Sequence, residues 1–283
     1  MSLATVLTPA PAAVIDALQK AGGRVLVVWG AAGSGKSSLA LNLAFELASL
    51  DQKTLLIDAD SYRPSLAAML GFTANAPGIT AVLRLARAER LNLEELNRLS
   101  EEISFQNHTV RLLTGINAPS RWRELDVVAL ESLLEFARGE FDYIVVDVST
   151  ELEEGLFSES SDVSRNHASL ELTKLADCVL GVFCADPVGI SRFISNLQDA
   201  GFEFLPIANR VRSSILGKNA ERQIRDTLFK LARLKVFALI PEDGSALDAA
   251  QQRAQPLLLA SRSSKTREAI RLLALEIMDQ PAN

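Results

Sequence analysis

The chain has 283 residues, 48% of them hydrophobic and 6% aromatic, with a formal net charge of −6. That acidity argues against wholesale coating of nucleic acid or anionic lipid and leaves only local basic patches open. No apolar run approaches the roughly 20 residues of a membrane-spanning helix, and no basic stretch followed by an apolar core opens the chain, so a cytoplasmic location is expected.

Residues 1–22 are rich in Ala and Pro and read as an N-terminal extension, with a short helix over Ala12–Gln19. Val25–Trp29 is an apolar run that reads as a buried strand, and it leads into Gly30-Ala31-Ala32-Gly33-Ser34-Gly35-Lys36-Ser37-Ser38. Gly30 to Ser37 satisfies the phosphate-loop pattern G-x-x-x-x-G-K-[ST]. In that pattern the glycines let successive N–H groups point inward at an anion. The helix starting near Lys36 adds the positive end of its dipole. Lys36 is expected to reach the β- and γ-phosphates and the Ser37 hydroxyl to hold Mg²⁺.

Leu39, Leu43, Leu47 and Leu50 give that helix an aliphatic face. Thr54–Ile57 is a wholly apolar strand ending at Asp58-Ala59-Asp60, carboxylates placed where open α/β sheets bind ligands. They suit a Mg²⁺ shell or an attacking water; helix capping ahead of Pro64 is the plainer alternative. From Pro77 to Leu99 short helical segments are expected, with the Arg and Glu residues from Arg84 to Glu102 forming a solvated face. Val110–Leu113 is a third strand and Leu125–Arg138 an amphipathic helix. Phe141–Val146 is a fourth strand ending in Asp147, an arrangement in which the Asp supports Mg²⁺ and Ser37. Residues 150–163 form an acidic loop, read as a segment that responds to nucleotide state.

Val179–Cys184, Phe204–Ala208 (ending at Asn209) and Val236–Ile240 (ending at Pro241-Glu242-Asp243-Gly244) complete a set of about seven strands. Helices are expected over Ser245–Ala254 and Ser264–Met278. The two cysteines, Cys178 and Cys184, fall on one strand about 20 Å apart, beyond disulfide reach, and are expected to be core residues. Strand alternating with helix throughout specifies an α/β fold: one three-layer domain over 23–283, with a mostly parallel twisted sheet and helices on both faces.

These motifs resemble those of the MinD/ParA branch of phosphate-loop ATPases. The resemblance is carried by Gly30–Ser37, Leu55–Asp60 with Arg63-Pro64, Asp142–Asp147, and Ile240–Asp243 followed by Ala249-Ala250-Gln251. Arg165-Asn166 and Ala185–Gly189 look most like the CpaE/TadZ-like and septum-site subgroup. The resemblance implies an ATP/ADP- and Mg²⁺-binding homodimer that positions a pilus or secretion assembly, a septum or a chromosome through protein partners. It implies Asp58, with Ser37 and Asp147, at the metal, and Asp60, with Lys36, in catalysis. It also implies Asn209 on the adenine edge, with Pro241 and Asp243 closing over the base. The family's lysine at the second motif position, which reaches the partner's phosphates, is replaced here by Ala31. Arg63 and Arg165 are candidates to supply that cation, and slow hydrolysis is expected without it.

Three other readings remain. Bacterial tyrosine kinases share the Asp58–Pro64 pattern, but they carry a tyrosine cluster at the C-terminus, whereas this chain has only Tyr62 and Tyr143. A DNA-associated partition ATPase would use the basic 210–235 segment, through Arg210, Arg212, Lys218, Arg222 and Arg225. A membrane-surface role would use the last helix, although docking on the sheet explains its apolar residues equally well.

Overall fold

Alternate residues of the first strand face opposite sides of the sheet, and this divides the core in two. The computed structural model describes residues 11–18, 22–72, 78–152, 164–197, 200–212, 214 and 217–279. In β1 (Arg24–Gly30), Val25, Val27 and Trp29 pack into one buried cluster, and Leu26 and Val28 into the other. Such strands, covered on both faces, are apolar throughout rather than alternating.

The strands are β2 (Thr54–Ala59), β3 (Glu101–Phe105), β4 (His108–Leu113), β5 (Tyr143–Val148), β6 (Cys178–Cys184), β7 (Leu205–Val211) and β8 (Ala238–Pro241). They form one eight-stranded sheet in the order β3-β4-β2-β5-β1-β6-β7-β8. Every pairing is parallel except β3 with β4. The fold is therefore the single α/β domain anticipated, with eight strands instead of about seven.

The extra strand, β3, lies in the Glu-rich stretch read as a solvated face. Its outer residues remain exposed, and Phe105 is buried. A two-residue turn joins it to β4, with Gln106 at φ 51°. Arg111 pairs with Glu102 across the hairpin, and a charged edge of this kind resists pairing with other chains.

On one face of the sheet lies α2 (Lys36–Ser49), which buries residues on nearly all sides. Its outer surface is covered by α12 (Lys265–Met278), whose Ile270, Leu273 and Ile277 are buried. The last helix is thus docked. A buried carboxylate locks the two helices together: Glu46, 1% exposed, accepts 2.7 and 3.1 Å hydrogen bonds from Arg267. Arg271 lies at 3.6 Å and is more exposed. Arg267→Ala strands that buried charge and is expected to lower the unfolding free energy by about 3 kcal/mol. Arg271→Ala should cost less than about 1 kcal/mol. Urea unfolding of both variants measures the difference.

The other face carries α4 (Gly78–Arg87), α6 (Val127–Glu140), α7 (His167–Leu175), α8 (Pro187–Asn196) and α9 (Ala220–Ala232). The remaining helices are α1 (Ala12–Leu18), α3 (Leu66–Met69), α5 (Leu93–Leu99), α10 (Gly244–Arg253) and α11 (Leu257–Ala260). Val14 and Leu18 of α1 join the α2-side core. No helix among the described residues is long and apolar enough to cross a membrane.

Candidate nucleotide site

The carboxyl ends of β1, β2 and β5 meet at one point, because Asp58 and Asp147 stand in register on neighbouring strands and β1 lies beside β5. The phosphate-loop turn leaves β1 there. Its Ser34 N–H closes on the Ala31 carbonyl at 3.0 Å. Gly33 and Gly35 adopt φ values of 78° and 87°, which only glycine takes without strain. The turn delivers the chain into the N-terminus of α2, the helix end that favours an anion.

Lys36 is buried and donates to Asp60 at 2.8 Å and to Asp147 at 3.4 Å. Burial alone would lower the ammonium's pKa, but Asp147 and Asp60 outweigh it and hold the value above its ordinary range. Burial pushes the Asp60 carboxyl up. The Lys36 charge and hydrogen bond, together with the Arg63 and Tyr62 N–H groups, more than offset this, and its pKa ends below the usual range. In this state Asp60 is a fixed anion rather than a proton acceptor.

Asp58 behaves differently. It is fully buried, and burial together with the neighbouring Asp147 charge raises its pKa to about 7. One of its oxygens accepts from the Ser65 and Leu66 N–H groups at 2.8 and 3.0 Å, and the other from the Asp60 N–H at 3.3 Å. Asp58 therefore organises the loop into α3, which is the capping role open from sequence, while it stands beside Asp147. Asp147 is likewise raised by burial, against the pull of Lys36 and the Ser37 hydroxyl.

A carboxyl whose folded pKa exceeds its unfolded value binds more protons when folded, so it loses stabilising effect as pH rises. For Asp58 the window runs from the unfolded 3.8 to about 7. Stability of the metal-free protein should fall with pH across that window at up to about 1.4 kcal/mol per unit. Urea midpoints measured in chelator between pH 5 and 8 should show this slope, and Asp58→Asn should flatten it.

Two orphaned polar atoms test the fit of the implied ligands. The Ser34 hydroxyl and the second Asp147 oxygen are buried with no hydrogen-bond partner. The first, a hydroxyl on the phosphate-loop turn itself, is free to donate to a phosphate oxygen. The second, with the Ser37 hydroxyl and Asp58, offers the hard oxygen donors Mg²⁺ prefers. Among the described residues no three His, Cys, Asp or Glu side chains form a ready-made metal cluster.

Beside the loop is a cavity of about 320 Å³, lined by Gly33, Gly35, Ser38, Asn209, Pro241 and Gln251 among others. This is within the range of about 300 to 1,000 Å³ usual for small-molecule sites. Asn209 is not at a strand end as expected. β7 continues to Val211 through an irregularity in which Arg210 takes φ 57°. That kink turns the Asn209 amide to the phosphate loop, where it donates to the Ser34 carbonyl at 2.8 Å. Pro241 lines the cavity, whereas Asp243 caps α10 by accepting from the Ala246 N–H at 3.4 Å.

Several contacts were not legible from sequence. The Thr150 hydroxyl donates to the Gly30 carbonyl at 2.9 Å, and the Trp29 indole N–H to the Thr150 carbonyl at 3.0 Å. Together they tie the phosphate loop to the segment after β5. Cys178 is buried as expected, but Cys184 is only half-buried and its thiol donates to the Gly33 carbonyl at 3.4 Å. The remainder of the acidic loop, 153–163, lies outside the described residues.

Of the two arginines considered for the missing cation, Arg165 stacks 3.9 Å over the Tyr62 ring and donates to the Ser61 carbonyl at 2.6 Å. Arg63 is exposed, with its backbone N–H on Asp60 at 2.9 Å. The basic segment is not gathered on one face. Glu242 holds Arg210 and Arg212 at 2.9 and 3.1 Å, Arg225 donates to the Val236 carbonyl at 2.7 Å, and Arg222 points to solvent beside Asp226.

A family model described as "ParA: NUBPL iron-transfer P-loop NTPase" matches residues 21–149, which hold the phosphate loop, Asp58, Asp60 and Asp147. Residues 21–149 thus match a ParA-family P-loop NTPase. The chain is 22% identical over 251 residues to the septum site-determining protein MinD of Synechocystis, covering 85% of the chain and 83% of that relative. It is 26% identical over 269 residues to an iron-sulfur cluster carrier protein of Deinococcus radiodurans, covering 90% and 69%. Its fold matches the crystal structure of a ParA family ATPase from Chlorobium tepidum, with a TM-score of 0.72 at 19% identity, covering 89% and 98%.

Proposed function

We propose that this chain is a ParA-family NTPase that binds ATP with Mg²⁺, hydrolyses it slowly, and acts as a homodimeric spatial regulator of the MinD/ParA type. Its cargo would be a pilus or secretion assembly, a septum or a chromosome. The observation that carries the nucleotide reading is Lys36, buried and charged between Asp60 and Asp147 at the mouth of the phosphate-loop turn. The positional role draws on the MinD likeness and on the CpaE/TadZ-like motifs.

Mg²⁺, when bound, supplies positive charge to the phosphate oxygens. Ser37, Asp147 and, through its place beside Asp147, Asp58 would hold it. Phosphates arriving in the turn compete with Asp60 for the Lys36 ammonium. Once released, Asp60 is positioned to orient an attacking water. Asn209 would exchange its bond to Ser34 for the adenine edge. With Ala31 buried in place of a lysine, the second cation falls to Arg63 of a partner copy, and hydrolysis is slow.

The iron-transfer description in the family model does not fit this chain's thiols. A cluster needs several thiolates close together. The two cysteines stand at opposite ends of β6, about 20 Å apart, and burial pushes the Cys178 thiol well above its ordinary range.

Light-scattering mass of the apo, ADP and ATP forms tests the switch. The expected result is a monomer that doubles in mass with ATP and Mg²⁺, and an Arg63→Ala variant that dimerises but hydrolyses at least about tenfold more slowly. Equal mass in all three forms would remove the nucleotide switch.

A further inference from the structure

On the face of the sheet that carries α6 to α9, a groove of about 490 Å³ runs between α8 and α9. Ile190 and Ile224 form its floor, and Ile194 and Leu231 stand on its two walls. Along α8, Pro187, Ile190 and Ile194 recur at three- and four-residue spacing; along α9, Ile224, Thr227 and Leu231 recur every three or four residues. Two ridges at helical spacing form a seat for the side chains of a third helix.

Leu231 is 64% exposed and Val188, on α8, 58% exposed. Leu231 on the α9 wall is thus left in water opposite the half-buried Ile194, with Val188 adding apolar surface elsewhere on α8, and exposed aliphatic surface of this kind marks an interaction surface. Its electrostatics select the partner. Arg192 is the only charged residue of α8, and α9 with the residues just after it carries Arg222, Lys230, Arg233 and Lys235 at the surface against Glu221 and Asp226. Asp226 is already matched by Arg222 at 3.5 Å. This local positive excess sits on a chain whose net charge is −6.

We propose that the α8–α9 groove is the docking site for an acidic amphipathic helix of a partner protein. The aliphatic stripe of that helix lies between Ile194 and Leu231, and its carboxylates face Lys230, the neighbour of Leu231 on α9. Occupancy of the groove does not depend on the nucleotide reading. An occupant would nevertheless rest on a helix next to the nucleotide loop, since α8 starts three residues after Cys184, whose thiol donates to the Gly33 carbonyl.

The test uses two fluorescein-labelled model helices with the same leucine stripe, one with glutamates and one with lysines on the polar face. Anisotropy titration of the full chain should show saturable binding of the glutamate helix that weakens with salt, and no binding of the lysine helix. Leu231→Glu and Lys230→Glu, both at exposed positions, should each weaken binding by about tenfold or more with unchanged circular dichroism and melting temperature. The proposal is overturned if the glutamate helix does not bind, if both helices bind alike, or if Leu231→Glu has no effect. It is equally overturned if Leu231→Glu instead abolishes self-association in light scattering, or abolishes binding of random duplex DNA or anionic vesicles.

Discussion

Lys36→Ala is expected to lower ATP hydrolysis by about 10² to 10³-fold, the cost of removing one donor preorganised for developing charge. A second consequence follows from the ion pairs. Lys36 is the cation that balances Asp60 and Asp147 at 2.8 and 3.4 Å in a site otherwise sealed from water. Without it, buried carboxylates lose their counter-charge, and the nucleotide-free protein should lose about 3 kcal/mol of stability. The loss should be smaller at pH 6 than at pH 8, because the Asp58–Asp147 pair, already raised by burial, takes up a proton as the pH falls. Phosphate release and paired melts at the two pH values read both effects. Full activity, or a loss of stability independent of pH, would show that Lys36 is not the charge at the centre of the site.

Asp60→Asn separates binding from chemistry. The amide keeps the shape of the side chain and can still accept from the Tyr62 and Arg63 N–H groups, both at 2.9 Å. It no longer carries the charge that competes with phosphate for Lys36. Nucleotide affinity should therefore stay the same or tighten. Hydrolysis should fall by about 10² or more, the scale lost when a group that positions or activates the nucleophile is removed. Calorimetric affinity and single-turnover rate constants on the same preparation give the split. Weaker binding with an unchanged rate constant would make Asp60 a structural partner of Lys36 and nothing more.

Much of the fold was legible because its strongest signals are local. A strand covered on both faces is apolar along its buried middle, and β1, β2, β5 and β6 are, apart from Arg24 and Thr54 at strand starts and Asp58 and Asp147 at the ligand end. The phosphate-loop turn shows in the spacing of its glycines, which the positive φ values at Gly33 and Gly35 justify. The β3–β4 hairpin was hidden because an edge strand has one wet side: Glu101, Glu102 and Ser104 look like loop or helix surface until Phe105 is seen packed on Phe45 at 5.3 Å.

Long-range geometry was the other blind spot. The Asp58 carboxylate reads as a ligand-end residue from its strand, yet its hydrogen bonds go seven and eight residues ahead, to the loop it organises. Thr150 sits in a polar run that gives no sign of its bond to Gly30, 120 residues earlier. Asn209 reads as a strand-end turn until the backbone at Arg210 is known. Each of these depends on a neighbour that only the folded chain brings close.

The central claim is that the turn from Gly30 to Ser37 binds a nucleotide through its backbone cradle and Lys36. Isothermal titration of the full chain with ATP and Mg²⁺ tests it most directly. A saturable isotherm of one nucleotide per chain, competed by ADP and abolished by Lys36→Ala, is the predicted result. Absence of heat and of competition for the folded wild-type protein would contradict it.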